Sequence, residues 1–515
     1  MNVTSRAKLR SKTGCLTCRK RRKKCDETYP VCEGCKSSRR QCQWPTSADL
    51  LDRRFAVHDD SRHGSRTPKP ERRGSSDSSM SCDSTKSDRT EASSSSTPEP
   101  IILSESALSL RVLTRDLETN ISRHFVGTYY GLLLLPNCHP GFYDGWLTQI
   151  QHLMVHHKSL YYSVLACAAS HIHLIDDSSR MQQLALTYYS NAIGALSKFL
   201  AKDAQFDNHN GLLMSVMLLY LHGCMGGDTY ADIPRHVNAA TRILTMRLFQ
   251  RSLSIKRLFD RLAVESVLYQ IFLVATGLWS DAAGLDYDFD LGFWTQAEKL
   301  LDQSQFFPGR STSLNSPVLG VPVSLFRLAV SLRQQYQHLL PRDPVVFDQI
   351  RVEVEAWEAA LLCNHLIKFS TEKERPNGQE KYYRDACYLY AIIASVLFEQ
   401  LSTHESTIGP DPLEWGDSWQ VRKAVLILQE HQYDFGWFRC FIGNWPVYTL
   451  GFLLSSPEDK ELIRVDLQRR WDVQKFAQVN RFKCDLERTW GARERSCKQD
   501  LGRCFMPSCT VAGPQ

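Results

Sequence analysis

The residues best suited to chemistry stand together near the start of the chain. A Cys-x-x-Cys pair followed seven residues on by a single cysteine occurs twice, as Cys15, Cys18 and Cys25 and again as Cys32, Cys35 and Cys42. A tetrahedral thiolate zinc site takes four sulfurs, so two zinc ions need eight ligands unless sulfurs are shared; with six cysteines, two must bridge. One zinc on four cysteines would leave two thiols over and gives no reason for the pattern to occur twice, so the spacing favours a binuclear cluster. Six thiolates around two dications leave a net charge of about −2. Beside them Arg19, Lys20, Arg21, Arg22, Lys23 and Lys24 supply consecutive cations. If Leu16–Lys23 is helical, such a run cannot lie on one face at about 3.6 residues per turn, so some side chains turn toward phosphates while others point into a groove. Buried structural thiols do not suit so polar a stretch, and metal buffering does not account for the interleaved cations. A nuclear import signal is a compatible second use of the basic run. The combination describes a nucleic-acid surface fixed by metal.

The stretch resembles the fungal zinc binuclear cluster DNA-binding domain, whose cysteines are separated by two, six, six, two and six residues, over roughly residues 12–45. The resemblance implies two short helices around two zinc ions per chain, with Cys15 and Cys32 as the bridges. One zinc would then be held by Cys15, Cys18, Cys25 and Cys32, and the other by Cys15, Cys32, Cys35 and Cys42. The family's loop proline falls at Pro30. Double-stranded DNA is the implied partner, read at short CGG-like half-sites through residues late in the first helix. That role carries over onto Arg21 and Arg22, leaving Arg19, Lys20, Lys23 and Lys24 mainly to the phosphate backbone.

Composition places this head on a different kind of body. The chain has 515 residues, 43% hydrophobic, enough for one large or several ordinary domains with a substantial core. Its net charge of +6 hides an asymmetry, because residues 1–45 carry thirteen Lys and Arg against only Asp26, Glu27 and Glu33, so the remainder is slightly acidic. The first ten residues are charged without an apolar stretch, so no secretory signal is expected and the chain is expected inside the cell; the resemblance to DNA-binding regulators implies the nucleus. Under reducing conditions seventeen cysteines are a poor disulfide framework and suit metal ligands plus buried thiols. Apolar stretches such as 212–220 and 267–279 fall short of the roughly 20 residues that span a bilayer, and no membrane segment is expected.

From His58 to Pro100 there is no Leu, Ile, Val, Phe, Tyr or Trp. Such a segment cannot bury enough apolar surface to offset its ordering entropy, so 46–100 reads as a disordered Ser-rich linker. Thr67-Pro68 and Thr97-Pro98 offer phosphorylation sites there, although solubility and reach account for the composition. Leu50, Leu51, Phe55 and Val57 make at most about two turns, too few for a pairing coiled coil after the cluster. From Ile101 the apolar spacing turns helical, as in Leu110, Leu113, Leu117, Ile121, Phe125 and Tyr129. It recurs over 160–175, 181–200, 212–221, 233–249 and 258–278, and Asp343-Pro344 reads as the start of a further helix. The expected fold is thus a small zinc binuclear cluster domain, a disordered linker and a large all-α regulatory domain over 101–490, with a basic tail over 491–515.

Asn315-Ser316-Pro317-Val318-Leu319-Gly320 leading into Leu325-Phe326-Arg327-Leu328, with Trp445-Pro446 and Gly451, looks like the helical fungal-specific transcription factor domain, across roughly residues 105–490. That resemblance implies a regulatory domain for inducer sensing, dimerisation or coregulator contact, and so a homodimer through the body and coregulator proteins as partners. On physical grounds Pro317, Gly320 and Pro322 end one helix and begin another. His152, His156, His157, His171 and His173 lack a companion Glu-x-x-His pattern and read as core or surface histidines. Cys484, Cys497, Cys504 and Cys509 contain no Cys-x-x-Cys pair and read as free thiols. Neither Asp176-Asp177 nor the Asp286–Asp290 stretch has the carboxylate pattern that holds magnesium, and no Gly-rich phosphate loop or nucleophile elbow is present. No enzyme is expected, and Asp286–Asp290 reads as an exposed loop. Two functions remain: a sequence-specific transcription regulator of RNA polymerase II genes, or a zinc-binding scaffold acting through protein contacts without reading DNA.

Overall fold

The computed structural model describes residues 15–21, 23, 25, 26, 28, 31–44, 105–136, 138–201, 210–226, 229–249, 255–280, 287–307, 315–337, 343–367, 378–403, 409, 410 and 418–504. The chain divides into two compact units, 1–99 and 100–515.

In the first unit the paired cysteines each open a short helix, α1 (Leu16–Lys20) and α2 (Glu33–Ser37). Residues 41–43 are tied back to α1: Thr17 Oγ1 donates to Gln41 O at 2.8 Å, and Leu16 N donates to Gln43 O at 2.7 Å. The Asp26 carboxylate accepts from Glu33 N at 2.8 Å and satisfies an open amide at the start of α2. Among the described residues of this unit, cysteines and Trp44 make up the packed interior. A unit this small has too little apolar surface to fold by burial alone.

The second unit is built of helices, with no strand among its described residues. Its first half holds α3 (Glu105–His124), α4 (Pro140–His156), α5 (Lys158–Asp176), α6 (Ser179–Leu200), α7 (Asn210–Met225), α8 (Ile233–Leu244) and α9 (Leu258–Thr276). Then come α10 (Leu291–Asp302), α11 (Val323–Gln337), α12 (Pro344–Ile367), α13 (Gly378–Thr403), α14 (Trp419–Glu430) and α15 (Phe435–Arg439). The last three are α16 (Asn444–Leu453), α17 (Pro457–Gln474) and α18 (Ala477–Cys504). The amphipathic pattern at Leu110–Tyr129 is helical, but its last residues, Phe125–Tyr129, widen into a π-helical turn. The same widening ends α8 at Thr245–Phe249.

Side-chain caps fix where these helices start. Ser178 Oγ accepts from Met181 N, Ser418 Oγ from Val421 N, and Ser456 Oγ from Asp459 N with Pro457 next in line. At Asp343-Pro344 the cap expected from sequence forms, with Asp343 Oδ1 accepting from Val345 N at 2.9 Å. Helices α7 and α9 are buried on nearly every side and form the centre of the core, with α5 packed between α6 and α7. Within α13, Lys381–Thr403 is long and apolar enough to cross a bilayer by length and composition, beyond the apolar stretches noted from sequence. Its Tyr383, Leu389, Tyr390, Ile393 and Leu397 are buried in the protein core, which accounts for that composition.

Two loops differ from their sequence reading. Of the Asp286–Asp290 stretch, expected to be an exposed loop, Tyr287 and Phe289 pack against the core, while Asp290 Oδ1 accepts from Phe293 N at 2.9 Å and caps α10. The segment 315–322 does lead into α11, but it does more than interrupt helices. It wraps the buried Glu265 carboxylate, which accepts from Ser316 Oγ at 2.6 Å, Val318 N at 3.0 Å and Leu319 N at 3.2 Å. Arg261 supplies the counter-charge, its Nε 2.8 Å from Glu265. Gly320 sits in this loop at φ 65°, where a Cβ would lie 2.7 Å from Leu135 and 2.9 Å from Tyr383. At the C-terminal end, α18 runs through Trp490 and continues to Cys504, past the expected end of the helical body at residue 490.

Candidate zinc and nucleic-acid site

Each Cys-x-x-Cys pair folds back on itself in the same way: Cys18 N donates to Cys15 Sγ and Cys35 N donates to Cys32 Sγ, both at 3.3 Å. The two turns then face each other. Cys15 Sγ is 3.7 Å from both Cys32 Sγ and Cys35 Sγ, while Cys18 Sγ is 3.6 Å from Cys32 Sγ and 3.9 Å from Cys35 Sγ. Four sulfurs about 2.3 Å from one zinc would form a tetrahedron with edges of about 3.8 Å. These separations fit that figure, and all four cysteines are buried.

Cys25 and Cys42 flank the four. Cys25 Sγ accepts from Cys15 N at 3.4 Å and, with Asp26 and Cys32, forms a second close group of possible ligands. Cys42 adjoins Cys35. Cys32 thus belongs to both close groups, whereas Cys15, Cys18 and Cys35 belong to the quartet alone.

Burial pushes the Cys18 thiol up to about 12 and raises Cys35 too. Desolvation also acts upward on Cys32, but its hydrogen bonds from the Cys35 amide and from the Cys35 and Cys18 thiols hold it below its ordinary value. Thiols this close resist ionising together unless a cation sits among them. A divalent soft-ligand metal meets that need, and the donor set fits zinc.

Of the basic run, Lys20, Arg21 and Lys23 are exposed. Arg21 Nη1 donates to Ser38 Oγ at 3.0 Å, which ties the end of α1 to the end of α2. Arg19 belongs to α1, while Arg22, Lys24 and Pro30 lie outside the described residues. Sequence reading missed Asp26, counted there only as a charge. The signal was its position directly after Cys25, but its hydrogen-bond partner lies seven residues on and is set by the fold.

The other sequence candidates separate. His152 and His156 share a face of α4 with rings 5.2 Å apart, whereas His171 is buried against His124, 2.9 Å between ring nitrogens. Among the described residues only the N-terminal cysteines, with Asp26, form groups able to hold a metal. Cys484 is a free, exposed thiol on α18.

A cluster of cysteines placed to hold a metal, with exposed cations at the end of its first helix and joined in sequence to a large helical body, is the layout of a DNA-binding transcription regulator. Residues 124–505 match the fungal specific transcription factor domain, and residues 13–50 match the fungal Zn(2)-Cys(6) binuclear cluster domain. The chain belongs to this family of zinc-cluster transcription factors, which are not enzymes. Similar curated proteins include transcription factor lfc1 of Flammulina velutipes, 48% identical over 67 residues, 13% of this chain and 22% of that protein. Transcriptional regulatory protein moc3 of Schizosaccharomyces pombe is 60% identical over 42 residues, 8% of each chain. White-opaque regulator 2 of Candida albicans is 60% identical over 35 residues, 7% of this chain and 8% of that protein. The chain thus spans less than a quarter of the length of these relatives. No solved structure matches it.

Proposed function

We propose that this chain is a nuclear regulator of RNA polymerase II genes that reads short CGG-like half-sites through a binuclear zinc cluster over residues 12–45. The observation that carries this reading is the quartet Cys15, Cys18, Cys32 and Cys35, spaced at tetrahedral edges, beside the exposed cations Lys20, Arg21 and Lys23. Two zinc ions per chain follow if Cys25 and Cys42 complete two sites that share Cys15 and Cys32 as bridges. Bound zinc supplies the cross-links that so small a unit lacks as an apolar core. Arg21 and Arg22 then read guanine edges, and Arg19, Lys20, Lys23 and Lys24 hold phosphates. The segment 46–100 serves as a linker, and the helical body over 101–490 as the regulatory part, where homodimer and coregulator contacts form, followed by the tail 491–515.

A specific observation supports a narrower metal count: the four sulfurs closest together would satisfy one zinc by themselves. Native mass spectrometry of the zinc-loaded chain separates the two, with two ions expected and one ion establishing the four-cysteine site. Selection from a random duplex pool with the full chain tests the reading of DNA. A reproducibly enriched motif containing CGG-like half-sites is expected. A pool that stays random would instead support a scaffold that does not read sequence.

A further inference from the structure

Helix α14 packs one side against the core through Val421, Ala424, Val425 and Leu428 and presents the other to solvent. That outer side is not polar. Trp419 and Leu426, seven positions apart and so on one side of the helix, are 46% and 53% exposed. In the turn that follows and at the start of α15, Tyr433 is 84% exposed and Phe435 66%. Arg422 reaches Asp459 of α17 at 3.7 Å and Glu430 reaches Lys381 of α13 at 3.2 Å, so the stripe runs between those two helices. From Trp419 to Tyr433 it extends roughly 20 Å, the length of about four helical turns at about 1.5 Å per residue. The charges along it are unbalanced. Glu430 is paired, and Asp434 accepts from Tyr382 Oη at 2.9 Å and from Gly436 N at 3.0 Å while facing His431. Lys423 and Arg469 are half-exposed and have no ion-pair partner among the described residues. Arg469 lies instead over the rings of Tyr433 and Phe438, 5.1 and 5.4 Å from their centres.

We propose that this stripe is a docking surface for an acidic amphipathic helix of another protein. The proposal rests on the reading of the body as the regulatory part of a transcription regulator, and it names the chemistry of the partner segment. The exposed Trp419, Leu426, Tyr433 and Phe435 supply apolar anchors of the kind that carry binding energy once water is excluded. Their helical spacing suits a partner helix that lays its own apolar face along α14. Lys423 and Arg469 set the sign of that helix, since their charge is not answered within the body and a carboxylate beside them would answer it. A second copy of this chain is the poorer occupant, because it would bring the same cations to the same surface.

The test measures fluorescence anisotropy on the full chain with a labelled peptide of about 18 residues, Leu and Phe on one helical face and Glu on the other. Two controls carry Lys in place of Glu, or the acidic composition in scrambled order. The acidic amphipathic peptide should bind saturably and more weakly as salt rises, with both controls at least about tenfold weaker. Leu426→Asp should lower its affinity about tenfold, whereas Val352→Asp, on the exposed side of α12, should leave it within about twofold. Arg469→Glu, or Lys423→Glu if the first lowers the melting temperature, should weaken the acidic peptide and strengthen the Lys peptide. Absence of saturable binding, equal binding of the Lys peptide, or unchanged affinity in a folded Leu426→Asp would overturn the proposal. So would sedimentation showing a dimer that Leu426→Asp converts to monomer, which would make the stripe a self-interface. Selection of duplex DNA with the same preparations separates the two readings. An enriched motif without peptide binding sinks only the docking surface, and peptide binding without a motif sinks only the reading of DNA.

Discussion

Arg22 and Lys24 belong to one basic run but are assigned different work, and substitution separates them. Loss of a two-pronged guanine contact in Arg22→Ala should cost about 1–3 kcal/mol on the preferred duplex and flatten discrimination at one base position. Lys24→Ala should weaken all duplexes alike and reduce the slope of log K against log salt by ~0.9 for the phosphate contact removed. Binding to matched and mismatched duplexes across a salt series gives both quantities; equal losses on every sequence for Arg22→Ala would make Arg22 a phosphate anchor. In the body, Glu265 is the residue on which most depends. Glu265→Ala would strand the Arg261 guanidinium and leave Ser316 Oγ, Val318 N and Leu319 N without their acceptor. A loss of about 3–5 kcal/mol in urea unfolding is expected, and a loss under 1 kcal/mol would show that the loop finds other partners.

At the scale of elements, close helix packing and buried histidines make the body sensitive in two distinct ways. A Cβ on Gly451 of α16 would come within 2.7 Å of Leu486 on α18. Gly451→Ala should therefore push the buried Leu486 methyls out of their packed position at a cost of about 1–3 kcal/mol, read as a lowered urea midpoint at constant slope. Burial lowers His171 on α5, His222 on α7 and His236 on α8 from 6.5 to about 4. His171 also faces His124 and Lys475, and His236 faces Asp232 and Arg235. Between these values the unfolded chain binds more protons than the folded one. Stability should thus be full above about pH 6.5 and fall as pH drops toward 4, by up to about 1.4 kcal/mol per pH unit for each histidine. Unfolding followed from pH 7.5 to 4.5 checks this, and a flat profile would contradict it.

Over the whole molecule, what could be read from sequence was what is encoded locally. The repeated Cys-x-x-Cys pattern marked the cluster because ligand spacing is a property of adjacent residues, and Asp343-Pro344 marked a helix start for the same reason. The Glu265 hub was hidden because Ser316 reaches it across 51 positions, and nothing in Asn315–Gly320 by itself names the partner. Asp290 was read as loop because its capping role appears only once α10 is placed. The central claim, that a zinc-held cluster lets this chain read DNA sequence, is tested most directly by fluorescence anisotropy of the full, zinc-loaded chain on its selected duplex and on a scrambled duplex of equal composition. The account predicts at least about a thousandfold preference for the selected duplex, lost in Cys32→Ala. Equal affinity for the two duplexes would contradict it.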